Sequence, residues 1–388
     1  MPGSIRGAAS AESARRANLS VVLRLLHRHG TTSRARLTEL AGYSRSTMGV
    51  LLEELARLDL VEEGQPQAQR LSGRPSLTLA PTDVWLAASV NVDVGGVEVA
   101  LTGIGGRVVA IDHVTTHQPV TPYEAAHLAG ELMRGLRTAQ RAPTRIVQLV
   151  AVIPGRVQTD TGVVIQAPHL GWHNVPFAQL LGQVVGLPVT LAHDGHVGAL
   201  AEALRGDVQD LAYLYGGPGG IGAGIIAGGR LYLGPAHLAG RLAHLYVSDD
   251  GPECYCGGRG CLTSVLSHRA LTHLLGVSAD AGNELREAIL SGGARISAAL
   301  DILLRALRTI VACYDPDLIV LGGSLSPLLT VGRQQLEAGL LQTNLKSARQ
   351  VVRLAKPALG SDQFHIGACD LALAPLLEDP AGFCTLPA

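Results

Sequence analysis

Apolar residues near the start of the chain recur at helical spacing, and beyond Asp83 they switch to alternation. Leu19, Val22, Leu23 and Leu26 predict a first helix that stops at Gly30. Leu37, Leu40 and Ala41 predict a second, opened by Ser33 as N-cap and ended by Gly42. Met48, Leu51, Leu52, Leu55 and Leu58 lie on one face of a third, which begins at Ser44. Two helices joined by the short turn Gly42-Tyr43 read as a helix-turn-helix. Residues 60–63 and 76–79 can pair as a two-stranded wing, and residues 80–83 read as a short polar linker. The pattern therefore predicts an N-terminal domain over residues 1–82 and a second region over 83–388.

In the second region Val90, Val92 and Val94 alternate, as do Val97, Val99 and Leu101, with Asp93-Val94-Gly95-Gly96 at the turn between them. A further strand over residues 107–111 completes a β-meander. Residues 123–140 predict a helix, and residues 146–152 a buried strand that runs into Pro154-Gly155-Arg156-Val157. A strand over 189–192 leads into His193-Asp194-Gly195-His196 and a helix through Ala199, Leu200 and Leu204. The glycine run from Gly216 to Gly224 lies between strands, lacking both the Gly-Lys-Ser/Thr ending of a Walker loop and the helix opening of a dinucleotide fingerprint. Ile296, Leu300, Leu303, Leu304, Leu307 and Val311 make a long amphipathic helix, broken at Asp315-Pro316-Asp317 before a strand ending in Gly322-Gly323-Ser324. The fold class is α/β.

Composition narrows the partners. Apolar residues make up 47% and charged ones 16%, with a net charge of −1, so the chain is globular and any DNA contact must be local. From Arg6 to Arg74 basic residues outnumber acidic ones, and all are arginines. No apolar run is long enough for a bilayer, no secretory leader is visible, and few cysteines fit a reducing compartment, so a cytoplasmic location with no membrane partner is expected.

Three stretches carry candidate chemistry. His244, Cys254, Cys256 and Cys261 place one imidazole and three thiols in one short loop, where Gly257, Gly258 and Gly260 allow tight folding. That set suits a tetrahedral, structural Zn²⁺ with no position open for water; a disulfide or inert buried thiols are the alternatives. Ser44, Arg45, Ser46 and Thr47 open the helix whose N-terminus enters the major groove in such motifs, and Arg45 can grip phosphate or guanine. Arg70 and Arg74 lie in the wing, where Arg74 between glycine and proline suits a narrow minor groove. The alternative is a helical domain with a solvated arginine face. Asp194, at the end of a buried strand, suits either a general base or a plain helix cap.

Taken in order, the helix-turn-helix with its Gly-Arg-Pro wing, Asp93-x-Gly-Gly, Pro154-Gly155-Arg156-Val157, Gly219-Gly220-Ile221-Gly222-Ala223-Gly224, the His-Cys-Cys-Cys loop and Leu321-Gly322-Gly323 resemble the ROK family of repressors and sugar kinases. The resemblance covers nearly the whole chain, and the loop after Gly240 is its most specific part. It implies an actin-like, sugar-kinase-type fold of two lobes around a sugar cleft, carried behind a winged helix. It implies a cytoplasmic regulator of carbohydrate genes, most often a repressor, working on double-stranded operator DNA as a homodimer or homotetramer. In the family's kinases Asp93, Gly95, Gly96, Gly220 and Gly222 would hold ATP, and the aspartate matching Asp194 would deprotonate the sugar.

Four positions depart from that pattern. Arg241 stands where the sugar-binding glutamate is usual, His193 and His169 where asparagines are usual, and Val97 where a threonine is usual. Each changed contact would leave a buried polar group unpaired at a cost of about 1–3 kcal/mol, so a neutral hexose should bind poorly. Arg241, His193, His169, Asp194 and His244 are then the candidate ligand contacts, suited to an anionic sugar derivative, unless the cleft binds nothing. The three functional classes to separate are a ligand-sensing regulator, an active ATP-dependent sugar kinase with a DNA-binding domain, and a ligand-independent repressor.

Overall fold

A computed structural model describes residues 11–64, 78–140, 143–235, 238–278, 282–342 and 352–385. Arg70 and Arg74, the expected wing arginines, lie outside the described residues.

The N-terminal module comprises α1 (Ala11–His29), β1 (Thr32–Ser33), α2 (Arg34–Ala41), α3 (Arg45–Arg57), β2 (Val61–Gly64) and β3 (Thr78–Pro81). Its boundaries follow local chemistry. Ser33 Oγ accepts from Arg36 N at 3.1 Å to open α2, and Gly42 ends it with φ at 68°. Ser44 Oγ accepts from Thr47 N at 3.1 Å to open α3. Tyr43, in the turn, donates to Asn18 Oδ1 at 2.9 Å and ties the helix pair to α1. The strands form one sheet in the order β1-β3-β2.

Residues 80–83 are not a free linker. Ala80 and Pro81 pair with Glu62 and Val61, and Trp85 Nε1 donates to Leu58 O at 3.0 Å. Composition misled here because a paired strand satisfies its backbone whatever its side chains.

The first lobe follows with β4 (Trp85–Asp93), β5 (Gly96–Gly103), β6 (Val108–Thr115), α4 (Pro122–Ala139) and β7 (Arg145–Ile153). It continues through β8 (Arg156–Gln158), β9 (Val163–Ala167), β10 (Trp172–Val175), α5 (Phe177–Val185), β11 (Val189–His193) and α6 (Asp194–Gly206). The second lobe holds β12 (Leu211–Gly217), β13 (Gly220–Ala227), β14 (Arg230–Leu231), α7 (Leu262–Leu266), α8 (His268–Leu275), α9 (Gly282–Leu290), α10 (Ala294–Tyr314), β15 (Leu318–Gly323), α11 (Leu325–Leu341) and β16 (Arg353–Ala355). The chain closes with α12 (Gln363–Ala372), α13 (Ala374–Glu378) and α14 (Pro380–Cys384).

The two lobes repeat one plan. Each central sheet has five strands, in the orders β6-β5-β4-β7-β11 and β14-β13-β12-β15-β16. In both, three antiparallel meander strands are followed by two parallel ones. The repeat makes the β4–β5 turn and the β12–β13 turn equivalent, and a Cβ built on Gly219 would lie 3.5 Å from Asp93 Oδ1. The two glycine hairpins therefore face each other across the cleft. Among the described residues no helix is long and apolar enough to cross a membrane.

The N-terminal module and the first lobe share one hydrophobic core. Leu23 and Leu26 of α1, Met48 and Leu52 of α3, Trp85 of β4 and Leu373 and Leu377 of the C-terminal helices belong to a single buried cluster. Along one face of α1, Arg16 pairs with Asp379, Ser20 donates to Leu377 O at 2.6 Å, Arg24 lies 3.7 Å from Glu378 and His27 lies 2.8 Å from Asp370. Spacings of four, four and three residues keep these side chains on one stripe. A second buried set pins α12 to the sheet: His365 meets Ser89 Oγ at 2.7 Å and Glu98 Oε1 at 2.6 Å.

Candidate functional site: a cleft, a thiol cluster and a helix surface

The cleft is built around the junction of β11 and α6. His193 Nδ1 accepts from Gly195 N at 3.1 Å, so the imidazole caps the helix, and Asp194 Oδ1 accepts from the same N–H at 2.6 Å. Capping thus falls to His193, which leaves the carboxylate of Asp194 on the first residue of α6. With Nδ1 accepting, the proton of His193 sits on Nε2. Burial, then the neighbouring Arg241 and His244, pushes the pKa of His193 down to about 3, so the ring is neutral. Burial lifts Asp194 up to about 6. A side chain at Gly222 would sit 2.7 Å from Asp194 Oδ1, so the glycine hairpin closes directly over this carboxylate.

Arg241 lies on the opposite wall, before the short turn Leu242–His244. It lines a cavity of about 50 Å³ with Arg156, Gln166, His193, His244 and Tyr255. The space is small, and residues of both lobes wall it. His169 is elsewhere. It lines a larger, mainly apolar cavity of about 580 Å³ with Pro218, Gly220, Arg269 and Ile302. Tyr255 belongs to both cavities, with its ring edge-on to His169 at 6.1 Å and to His244 at 5.1 Å. The structure therefore brings together Arg241, His193 and His244, with Asp194 beside them, and puts His169 behind Tyr255.

At the phosphate-loop positions, Asp93 Oδ1 accepts from Val94 N at 2.7 Å and closes the β4–β5 turn. Gly96 has φ of 138°, and a side chain there would overlap the Val114 carbonyl. Gly95 completes that turn, and Gly220, with φ of 114°, opens β13 opposite. Val97 is buried in the core of the first lobe and offers no hydroxyl to the cleft.

The thiol cluster is compact. The ligand atoms of His244, Cys254, Cys256 and Cys261 all lie within 4.8 Å of one another. Cys256 Sγ and Cys261 Sγ are 3.6 Å apart, as are Cys254 Sγ and His244 Nδ1. A disulfide needs about 2.05 Å, whereas the edge of a tetrahedron with Zn–S near 2.3 Å is roughly 3.8 Å. The donor set and its spacing fit a tetrahedral cation. Burial pushes the Cys254 and Cys261 thiols up, so a cation is what would hold them as thiolates. His244 presents Nδ1 to this cluster and Nε2 to Tyr255 Oη at 3.2 Å, on the wall of the cleft.

On the N-terminal module Ser44, Arg45, Ser46 and Thr47 are all exposed at the start of α3. Ser44 is engaged as the cap, which leaves Arg45 and Ser46 free of that duty. Val50, one turn on from Ser46, is 61% exposed although apolar. Helical periodicity alone places it off the buried face and gives no reason for its chemistry. A thymine methyl group is the contact such a residue suits in a major groove.

Comparison with known proteins follows the same outline. A family model described as "ROK family" matches residues 89–374. A xylose repressor of Caldicellulosiruptor bescii is 28% identical over 262 residues, covering 66% of this chain and 65% of that protein. Among solved structures, a ROK family transcriptional regulator described as a homolog of the E. coli MLC protein aligns with a TM-score of 0.69 at 22% identity, over 94% of this chain and 98% of that one. A ROK family glucokinase from Streptomyces griseus, solved with glucose and AMPPNP, aligns with a TM-score of 0.62 at 24% identity, over 74% of this chain and 98% of its own. These likenesses show the fold, an actin-like pair of α/β lobes.

Proposed function

Because the chain belongs to the ROK family, we propose that it is a DNA-binding transcriptional regulator, a repressor of carbohydrate-related genes that senses a sugar derivative in its cleft. In this reading α2 and α3 with their sheet are a winged helix-turn-helix spanning residues 1–82, and residues 83–388 are the sensor. Arg45 and Ser46 meet the operator, with Arg70 and Arg74 in the wing. The protein acts as a homodimer or homotetramer, so that two recognition helices are held at one spacing.

The observation that carries the reading is the course of α6. It begins at Asp194 in the cleft and runs 13 residues, about 20 Å, to Gly206. In its last turn Arg205 donates to the backbone oxygens of His27 and Arg28, at the C-terminal end of α1. The helix is packed tightly enough to move as a unit: side chains at Gly195 or Gly367 would overlap the backbone of Ala223 or Val197. Ligand contact at His193 and Asp194 would therefore displace α1, and with it α3, biasing two orientations of the DNA-binding module.

A structural Zn²⁺ at His244, Cys254, Cys256 and Cys261 fits this scheme. When bound it would hold the loop that carries Arg241 and Tyr255 against the cleft, through His244. A second reading, a sugar kinase with an attached DNA-binding module, is favoured by the carboxylate of Asp194. Val97 and Arg241 count against it. Fluorescence anisotropy on DNA from upstream of the gene, paired with an assay for ATP turnover, tests the choice. Salt-dependent DNA binding without Asp194-dependent turnover supports the regulator; turnover without DNA binding overturns it.

A further inference from the structure

We infer that the cleft of this chain takes a sugar acid, a polyhydroxylated monocarboxylate gripped between Arg156 and Arg241. The inference deepens the sensor reading and rests on it for any effect at DNA; the binding itself stands on the protein alone.

Two guanidiniums face one small cavity, and among the described residues neither has a hydrogen-bond or ion-pair partner. Arg241 is half-buried, so an unpaired charge there is costly unless a ligand supplies the counter-charge. No carboxylate lines the cavity. Asp93 meets the β12–β13 hairpin at Gly219, and Asp194 meets it at Gly222. Asp194 lies beside His193, 3.1 Å between Oδ1 and Nδ1, and offsets one of the two positive charges. His193, being neutral, adds a hydrogen-bond donor at Nε2 and no charge. One positive charge is left over. That balance suits a carboxylate and disfavours a phosphate dianion.

Geometry agrees. A guanidinium fork matches the two oxygens of a carboxylate, and a pair of forks can hold it from two sides. Gln166, His193 and Tyr255 line the same space, and their polar groups can meet the hydroxyls of a sugar chain. A ligand held here touches both lobes, since Arg156 and Gln166 belong to one and Arg241 and Tyr255 to the other, so ligand occupancy and lobe position are linked.

The test is calorimetric titration of the full chain, without DNA, with D-gluconate, D-glucuronate, D-glucose and glucose 6-phosphate. At least one of the two acids should bind tenfold or more tighter than both other sugars. Arg241→Gln and Arg156→Gln should each weaken that binding by about ten- to a hundred-fold without lowering the melting temperature of the free protein. Arg156 is exposed and serves as the safer of the two for folding. Glucose binding as tightly as the acids, a preference for the phosphate, no binding by either acid, or acid binding unchanged in both variants would overturn the inference. Acid binding by a protein that never binds DNA would leave this inference standing and sink the regulator reading. DNA binding that responds only to neutral sugars would do the reverse.

Discussion

His27 of α1 and Asp370 of α12 hydrogen-bond at 2.8 Å although 343 residues separate them in the chain. His27 is buried and Asp370 nearly so, and His27 Nδ1 also accepts from Gly105 N at 3.1 Å, which puts the donated proton on Nε2. The first helix of the chain is thus fastened to the last part of it.

This pair should behave as a unit. His27→Ala and Asp370→Ala should each cost about 1–3 kcal/mol, because each removes the hydrogen-bond partner of a polar atom shielded from water. The double substitution should cost clearly less than the sum. Urea denaturation of the four proteins checks it; additive losses would show that the two residues do not act through each other.

Arg205 should matter for signalling more than for folding. Replacing it with alanine removes the link between the end of α6 and the carbonyls of His27 and Arg28. Sugar binding should survive, while its effect on DNA affinity shrinks toward none. Parallel sugar and DNA titrations of Arg205→Ala read this directly; full coupling in the variant would remove α6 as the route.

Much of this architecture is legible in the sequence. Ser33, Gly42 and Ser44 mark helix ends because capping is local chemistry, and the alternation around Val90 and Val99 marks a meander because the strand period is local too. The thiol cluster was legible because its four residues fall within one loop. The coupling of His27, Arg205 and Asp370 was not, since those partners lie in separate elements and no short-range pattern pairs them. Arg156 was visible only as part of a turn motif, and its place opposite Arg241 depends on how two lobes close. His169 was grouped with Arg241 by family pattern, and the ring of Tyr255 stands between the two cavities that separate them.

The thiol cluster should hold one zinc per chain. Elemental analysis of protein purified without added metal should give close to one zinc, and Cys256→Ser or Cys261→Ser should lose most of it. Loss of zinc should also weaken ligand binding, because His244 contributes to both sites. A metal-free protein with unchanged sugar response would reject that link.

Asp194 makes stability depend on pH with a definite sign. Its pKa of about 6 in the folded chain lies above the value near 4 of an unfolded aspartate. The folded state therefore binds the proton more tightly, and the carboxyl opposes folding increasingly as pH rises from 4 through 6. Asp194→Asn should raise stability by roughly 2 kcal/mol at pH 7.5 and change little at pH 4. Melting curves across that range settle it; a gain confined to low pH would contradict the assignment.

DNA binding under the control of the cleft is the property that defines a ligand-sensing regulator. Anisotropy of labelled DNA from upstream of its gene, titrated with the protein at several salt concentrations and with the four sugars above, measures both at once. Specific binding that weakens steeply with salt, loses affinity in Arg45→Ala, and shifts by tenfold or more with one sugar is the predicted result. Affinity no greater than for random DNA, or specific binding that no sugar alters, would contradict it.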